Sequence, residues 1–119
     1  MFPQLPAAVR VFLCTRPTDM RKGFDGLQGM VREFLGQDPL SGHLVLFLNR
    51  RRDRIKLLWW DRDGLVIWYK RLERHKFHWP SRFDVDSVTL TGEQLNWLLD
   101  GYDVWRMKPH DTLNLLFTN

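Results

Sequence analysis

The sequence predicts an α+β domain: an antiparallel sheet of about five strands with two helices, near residues 20–35 and 92–99, packed against it. Three observations predict it. Short apolar and aromatic runs recur with turn formers between them, above all in a central meander over 43–72. Two other segments space their apolar residues at helical intervals instead. The 119 residues, 44% hydrophobic and 27% charged, suit one folded core over 1–119: too apolar for a disordered tail, too charged for a membrane protein.

The first element is a short strand over 9–14, with Val9, Val11 and Leu13 on one face and Arg10 and Phe12 on the other. RPTDM follows as a turn and helix start, because Pro17 punctuates and Thr18 or Asp19 can accept from the free N–H groups of a first turn. Phe24, Leu27, Met30 or Val31, and Phe34 with Leu35 then mark an amphipathic helix, and Gly36 offers its stop. Gly23, Gly26 and Gly29 each cost that helix roughly 1 kcal/mol relative to Ala. Their spacing predicts a smooth face pressed against backbone or ligand.

Three strand-like runs come next, 43–48, 54–61 and 65–72, joined by NRRRD and DRDG. Asp63-Gly64 is a favoured hairpin pair, so an antiparallel meander is the economical reading. Pro80 ends pairing after KFHWP. A strand over 87–90 leads to a helix opened by Thr91, whose Gln94 three residues on completes a capping box; Leu95, Leu98 and Leu99 form its packing stripe and Gly101 its stop. The closing run VWRMKPHDTLNLLFTN reads equally as a terminal strand or as a flexible tail over 107–119.

Charge is concentrated. The formal net charge is +4, yet residues 49–78 hold ten Lys or Arg against four acids, a local +6, while elsewhere eight cations face ten acids. A basic segment in a faintly acidic body is the footprint of a polyanion site. Arg50, Arg51, Arg52, Arg54, Lys56, Lys70, Arg71 and Arg74 are the candidate phosphate contacts, with Trp60 or Trp68 as stacking rings. The bland reading stands beside it, because aromatic residues in hairpins also serve as core and exposed cations also guard sheet edges. Arg21 and Lys22 form a second candidate near a helix start, where backbone N–H groups can receive an anion.

Catalysis is not expected. Asp61 and Asp63 sit at a turn, Glu73 lies among cations that would pair with it, and His75 and His78 have no cysteine partners nearby for a structural zinc. No cofactor or metal is expected. The single cysteine, Cys14, reads as a buried small hydrophobe, and its isolation fits a reducing compartment, the cytoplasm. The N-terminus lacks the pattern of a secretory signal, and the apolar runs fall far short of the roughly 18 residues a membrane span needs.

Three segments in order, DMRKGFDGL, then LFLNRRRDRIKLLWWDRDGLVIWYKRLERHKFHWP, then LTGEQLNWLLDG, resemble the TnpB-type (Orf-two) accessory proteins of the insertion-sequence sixty-six family of bacterial transposable elements. The resemblance runs from about residue 9 to 101. The family pattern falls on Asp19, Arg21, Lys22, Gly23 and Asp25, then on Asn49, Arg51, Asp53, Lys56, Leu58, Trp60, Asp61, Gly64, Trp68, Arg71, Leu72, Glu73, Phe77 and Pro80. His75 departs from it, standing where glycine is common. The resemblance implies a protein encoded beside a DDE-type transposase and needed with it for efficient movement. The expected function is therefore a non-catalytic accessory role in transposition, with transposon-end DNA as one partner and the transposase as another. An adaptor docked on the transposase is the alternative, and a small basic ribonuclease of toxin type a third.

Overall fold

A computed structural model describes residues 8–78 and 85–105 of the chain. Its elements are β1 (Val11–Cys14), α1 (Phe24–Leu35), β2 (Leu44–Leu48), β3 (Arg54–Asp61), β4 (Gly64–Arg71), β5 (Ser87–Leu90) and α2 (Gly92–Leu99). The strands form one sheet in the order β4-β3-β2-β1-β5. The expected α+β class with five strands and two helices is what the chain adopts.

One feature of the sheet differs from expectation. It is mixed rather than wholly antiparallel, because β1 pairs in parallel with β2, Val11 opposite Leu44 and Leu13 opposite Leu46. A parallel pair needs a crossover, and α1 supplies it. The other neighbours, β1 with β5, β2 with β3 and β3 with β4, are antiparallel. Both central strands are buried along their whole length, so VFLC and LVLFL are apolar on both faces rather than alternating.

The reason is that each face carries a helix. On one face Leu27, Met30, Val31 and Leu35 of α1 pack over Phe12, Cys14, Val45, Phe47 and Leu58. On the other, Leu95, Leu98 and Leu99 of α2 join Val11, Leu13, Leu46, Ile55, Leu57 and Phe77. At about 25 cal/mol per Å² of apolar surface removed from water, these two clusters are the main force holding the sheet between its helices.

Helix α1 starts at Phe24, the first residue of its apolar spacing, rather than near residue 20. Asp19 does not cap it; its Oδ1 accepts from the Arg21 backbone N–H at 2.9 Å, and Lys22 N–H donates to the Asp19 carbonyl at 3.1 Å, which closes a turn ahead of the helix. Thr18 does not cap it either. It is buried, and its N–H donates to the Leu48 carbonyl at 2.8 Å, tying the segment after β1 to the end of β2. Gly23 takes the N-cap position with no side-chain bond, and Gly36 ends the helix in the left-handed conformation at φ 61°. The glycine face is not pressed against backbone: a Cβ on Gly23 or Gly29 would meet nothing within 4 Å, and one on Gly26 would touch the Lys22 side chain.

Helix α2 follows its local signals closely, with Thr91 Oγ1 accepting from Gln94 N–H at 3.1 Å and Gln94 Oε1 accepting from Thr91 N–H at 2.9 Å. In the β3–β4 hairpin Asp61 pairs with Gly64, so the two-residue turn is Arg62-Asp63, and Arg62, at φ 54°, takes the left-handed position rather than Gly64. Residues 106–119, including the tail expected at 107–119, and Trp79 and Pro80 lie outside the described residues.

Candidate nucleic-acid interface

The basic triplet sits on the β2–β3 connection, and one asparagine gives that loop its shape. Asn49 Oδ1 accepts from the N–H groups of Asp53 and Arg54 at 3.1 and 3.0 Å, while its Nδ2 donates to Asp53 Oδ1 at 2.7 Å. That last bond, more than any neighbouring cation, holds the Asp53 carboxyl below its ordinary pKa. Arg52 takes a left-handed φ of 66°, unusual for a side chain of its size. Its carbonyl accepts from Phe77 N–H at 2.8 Å, and the Asp53 carbonyl accepts from Leu72 N–H at 2.7 Å. The loop is therefore anchored from within by Asn49 and from behind by the chain leaving β4.

Facing it is the turn before α1. Pro17 to Arg21 and Asn49 to Arg51, with Arg54, enclose a cleft of about 650 Å³. Four arginines, Arg21, Arg50, Arg51 and Arg54, stand around it against one acid, Asp19. Asp19 is engaged: Arg21 donates to both its carboxylate oxygens, Nε at 3.1 and 3.0 Å and Nη2 at 2.6 Å. The Arg21 guanidinium brings the Asp19 pKa from 3.8 down to about 2. The lining residues thus carry three positive charges in excess, with the Asp53 carboxylate of the same loop close to Arg51 and Arg54.

The candidate residues divide as follows. Arg21, Arg50, Arg51 and Arg54 are gathered at the cleft, and Arg71 stands beside it, directly across β3–β4 from Arg54. Arg71 donates to Glu73 Oε1 from Nε at 3.0 Å and Nη2 at 2.8 Å. Lys70 lies opposite Ile55, on the other face of the sheet. Arg74 is exposed beyond β4, and Lys22 borders a second recess along α1 with Asp25, Gly26, Met30 and Phe34.

Lys56 requires correction as a phosphate contact. It is only 8% exposed, and its Nζ donates to the carbonyls of Met20 and Lys22 at 2.7 and 2.8 Å. Alternation alone put it in a row with Arg54; the approach of the α1 turn over that face closes the row's inner position and leaves its end open. Lys56 is a clamp that holds the cleft wall bearing Arg21.

The aromatic residues are also redistributed. Trp59 and Trp68 pack half-buried against the α2-side core, on the face away from the cleft. Trp60 shares the face of Arg54 but lies six residues further along β3, about 20 Å at strand rise. The ring beside the cleft is Tyr69, opposite Lys56 and 47% exposed. Its hydroxyl oxygen accepts from Arg54 Nη1 at 3.4 Å, and Lys56 Nζ lies 4.7 Å from its ring centroid. Sequence reading passed over Tyr69, although strand alternation groups it with Ile67 and Arg71, and the Asp61–Gly64 pairing would have set it opposite Lys56.

Other candidates keep ordinary roles. Cys14 is buried, and desolvation pushes its thiol pKa up, the reverse of what a nucleophile needs. Among the described residues no three His, Cys, Asp or Glu gather into a metal set, and no helix is long and apolar enough to cross a membrane.

Fold and cleft thus define a small mixed-sheet protein carrying a recessed cationic site. The chain belongs to the IS66 Orf2-like family: the family described as "IS66 Orf2 like protein" matches residues 9–109. Uncharacterized protein y4hO of Sinorhizobium fredii is 40% identical over 104 residues, covering 87% of this chain and 88% of the relative. Uncharacterized protein y4jC of the same organism is 33% identical over 100 residues, covering 84% and 85%. No solved structure matches the chain. Membership carries an accessory role in IS66 transposition, in a family not known for catalysis.

Proposed function

We propose that the chain assists transposition by binding transposon-end DNA through the cleft between the α1 turn and the β2–β3 loop. The observation that carries this reading is the convergence of Arg21, Arg50, Arg51 and Arg54, from two separate stretches of chain, around one recess. Like charges held together repel; phosphate relieves that cost and releases condensed counterions. The bonds of Asn49 set the loop before any ligand arrives, so little ordering entropy is lost on binding.

The test is a salt titration of affinity for transposon-end duplex. About three phosphate contacts, Arg21 being held by Asp19, imply a log–log slope of roughly −2.7, about a 40-fold loss between about 50 and 200 mM salt. Replacing Arg50 and Arg51 by Ala should flatten that slope by about 1.8. Binding that is absent, or indifferent to salt, would sink the proposal.

A second reading, docking on the partner transposase, draws on a different feature. The recess along α1 is bordered by Gly26, Gly29, Met30 and Phe34, and Phe24 of the same helix is 49% exposed. Co-purification with the transposase from nuclease-treated extract, lost on Phe24→Ser substitution, is the expected result; recovery only while nucleic acid is intact would exclude it.

A further inference from the structure

We infer that the cleft and the Tyr69 ring beside it form a site for an unpaired DNA strand, with phosphates among Arg50, Arg51 and Arg54 and one splayed base on Tyr69. The inference rests on the DNA-binding reading above and narrows it from DNA in general to single-stranded DNA.

Two independent features carry it. The first is the ring. Tyr69 is a large aromatic on an edge strand, nearly half exposed, on a face otherwise covered at Lys56, Leu58 and Ile67. Lys56 Nζ approaches the ring, and Arg54 Nη1 reaches its hydroxyl, so its orientation is set from within the protein. A fixed ring with an open side is a stacking platform, and every base has a π-face to lay on it.

The second is the charge pair next to the ring. Arg54 and Arg71 are directly opposed across β3 and β4, two register steps beyond Lys56 and Tyr69 and on the same face. Like charges directly opposite destabilise a sheet. Glu73 answers Arg71. Arg54 turns toward Tyr69 and the cleft, where the nearby carboxylates, Asp19 and Asp53, are hydrogen-bonded by Arg21 and Asn49 rather than by Arg54. A backbone phosphate at Arg54 would relieve the opposition and place its own nucleotide within reach of Tyr69.

Duplex DNA cannot use this combination fully. Its bases are stacked inside the helix, so a side chain on a sheet surface meets phosphate and sugar alone, whereas an unpaired strand can turn a base outward.

The experiment compares a labelled single strand of about a dozen nucleotides with its duplex, by fluorescence anisotropy on the whole chain at fixed salt. The single strand should bind about tenfold more tightly. Tyr69→Leu, which keeps an apolar cover over Lys56 but removes the π-face, should lose about tenfold on the single strand and under twofold on the duplex. Tyr69→Phe should keep the preference. Equal affinity for the two forms, or equal losses on both in Tyr69→Leu, would overturn the single-strand site while leaving DNA binding intact. Failure of both DNA forms to bind would overturn the DNA-binding reading and this one with it. Tighter binding of RNA of the same sequence would reassign the site to another ligand and overturn it too.

Discussion

Replacing Lys56 by Met separates the two roles the residue could have, because Met keeps much of the apolar stem and removes the ammonium. Lys56 is 8% exposed and donates to two backbone carbonyls, Met20 at 2.7 Å and Lys22 at 2.8 Å. Hydrogen bonds from a charged donor contribute about 1.5–3 kcal/mol each, a gross value of about 3–6 kcal/mol. Against this stands the cost of keeping an ammonium out of water, several kcal/mol in a buried site. Its removal relieves that cost, but it also leaves two carbonyls without their donor. The net expectation is a loss of about 2–3 kcal/mol. With a urea m-value of about 2 kcal/mol per molar, the unfolding midpoint should fall by about 1–1.5 M. The slope of log affinity against log salt should stay within about 0.5 of the parent, since each duplex phosphate contact contributes about 0.9. An unchanged midpoint together with a slope flatter by about one unit would refute the clamp and restore Lys56 as a phosphate contact.

Two further outcomes follow from the same geometry. Asp19 has its pKa depressed from 3.8 to about 2, chiefly by its bonds from Arg21, so it contributes stability above about pH 4 that is lost as pH falls from 4 toward 2. Asp19→Asn should flatten that acid limb in a series of urea unfolding curves; it should also release Arg21 to phosphate and steepen the salt slope by up to about 0.9, and a limb that keeps its shape would show the pair to be irrelevant. Thr91→Ala removes the side-chain acceptor for Gln94 N–H and should lower stability by about 1 kcal/mol without touching DNA affinity. Thermal unfolding monitored by circular dichroism reads the first effect and anisotropy the second; a loss of affinity would mean that α2 contributes to the interface.

What the sequence made legible was local. The capping box of α2, the Gly36 stop of α1 and the existence of the β3–β4 hairpin each depend on residues within a few positions of one another, so their residue types declare them, although the turn falls on Arg62-Asp63 rather than Asp63-Gly64. The parallel pairing of β1 with β2 has no such local mark, because strand direction is decided by the crossover between them. A trace of it was present: VFLC and LVLFL are apolar at every position, the pattern of strands covered on both faces, and two-sided cover implies a helix on each side. The site shows the same division. The charge cluster was visible as composition, but its members part ways once the sheet forms. Alternation puts Arg54 and Lys56 on one face; what distinguishes them is distance from the α1 turn, a long-range contact that buries Lys56 and leaves Arg54 at the rim. The same contact explains why Tyr69, rather than a tryptophan, lies beside the cleft. Lys56, drawn inward, lies against its ring and helps fix it at the edge of the cleft, whereas Trp68 faces the opposite core and Trp60 lies far along the hairpin. A cation buried as a clamp thus prepares the aromatic surface, and the exposed cations around it supply the charge.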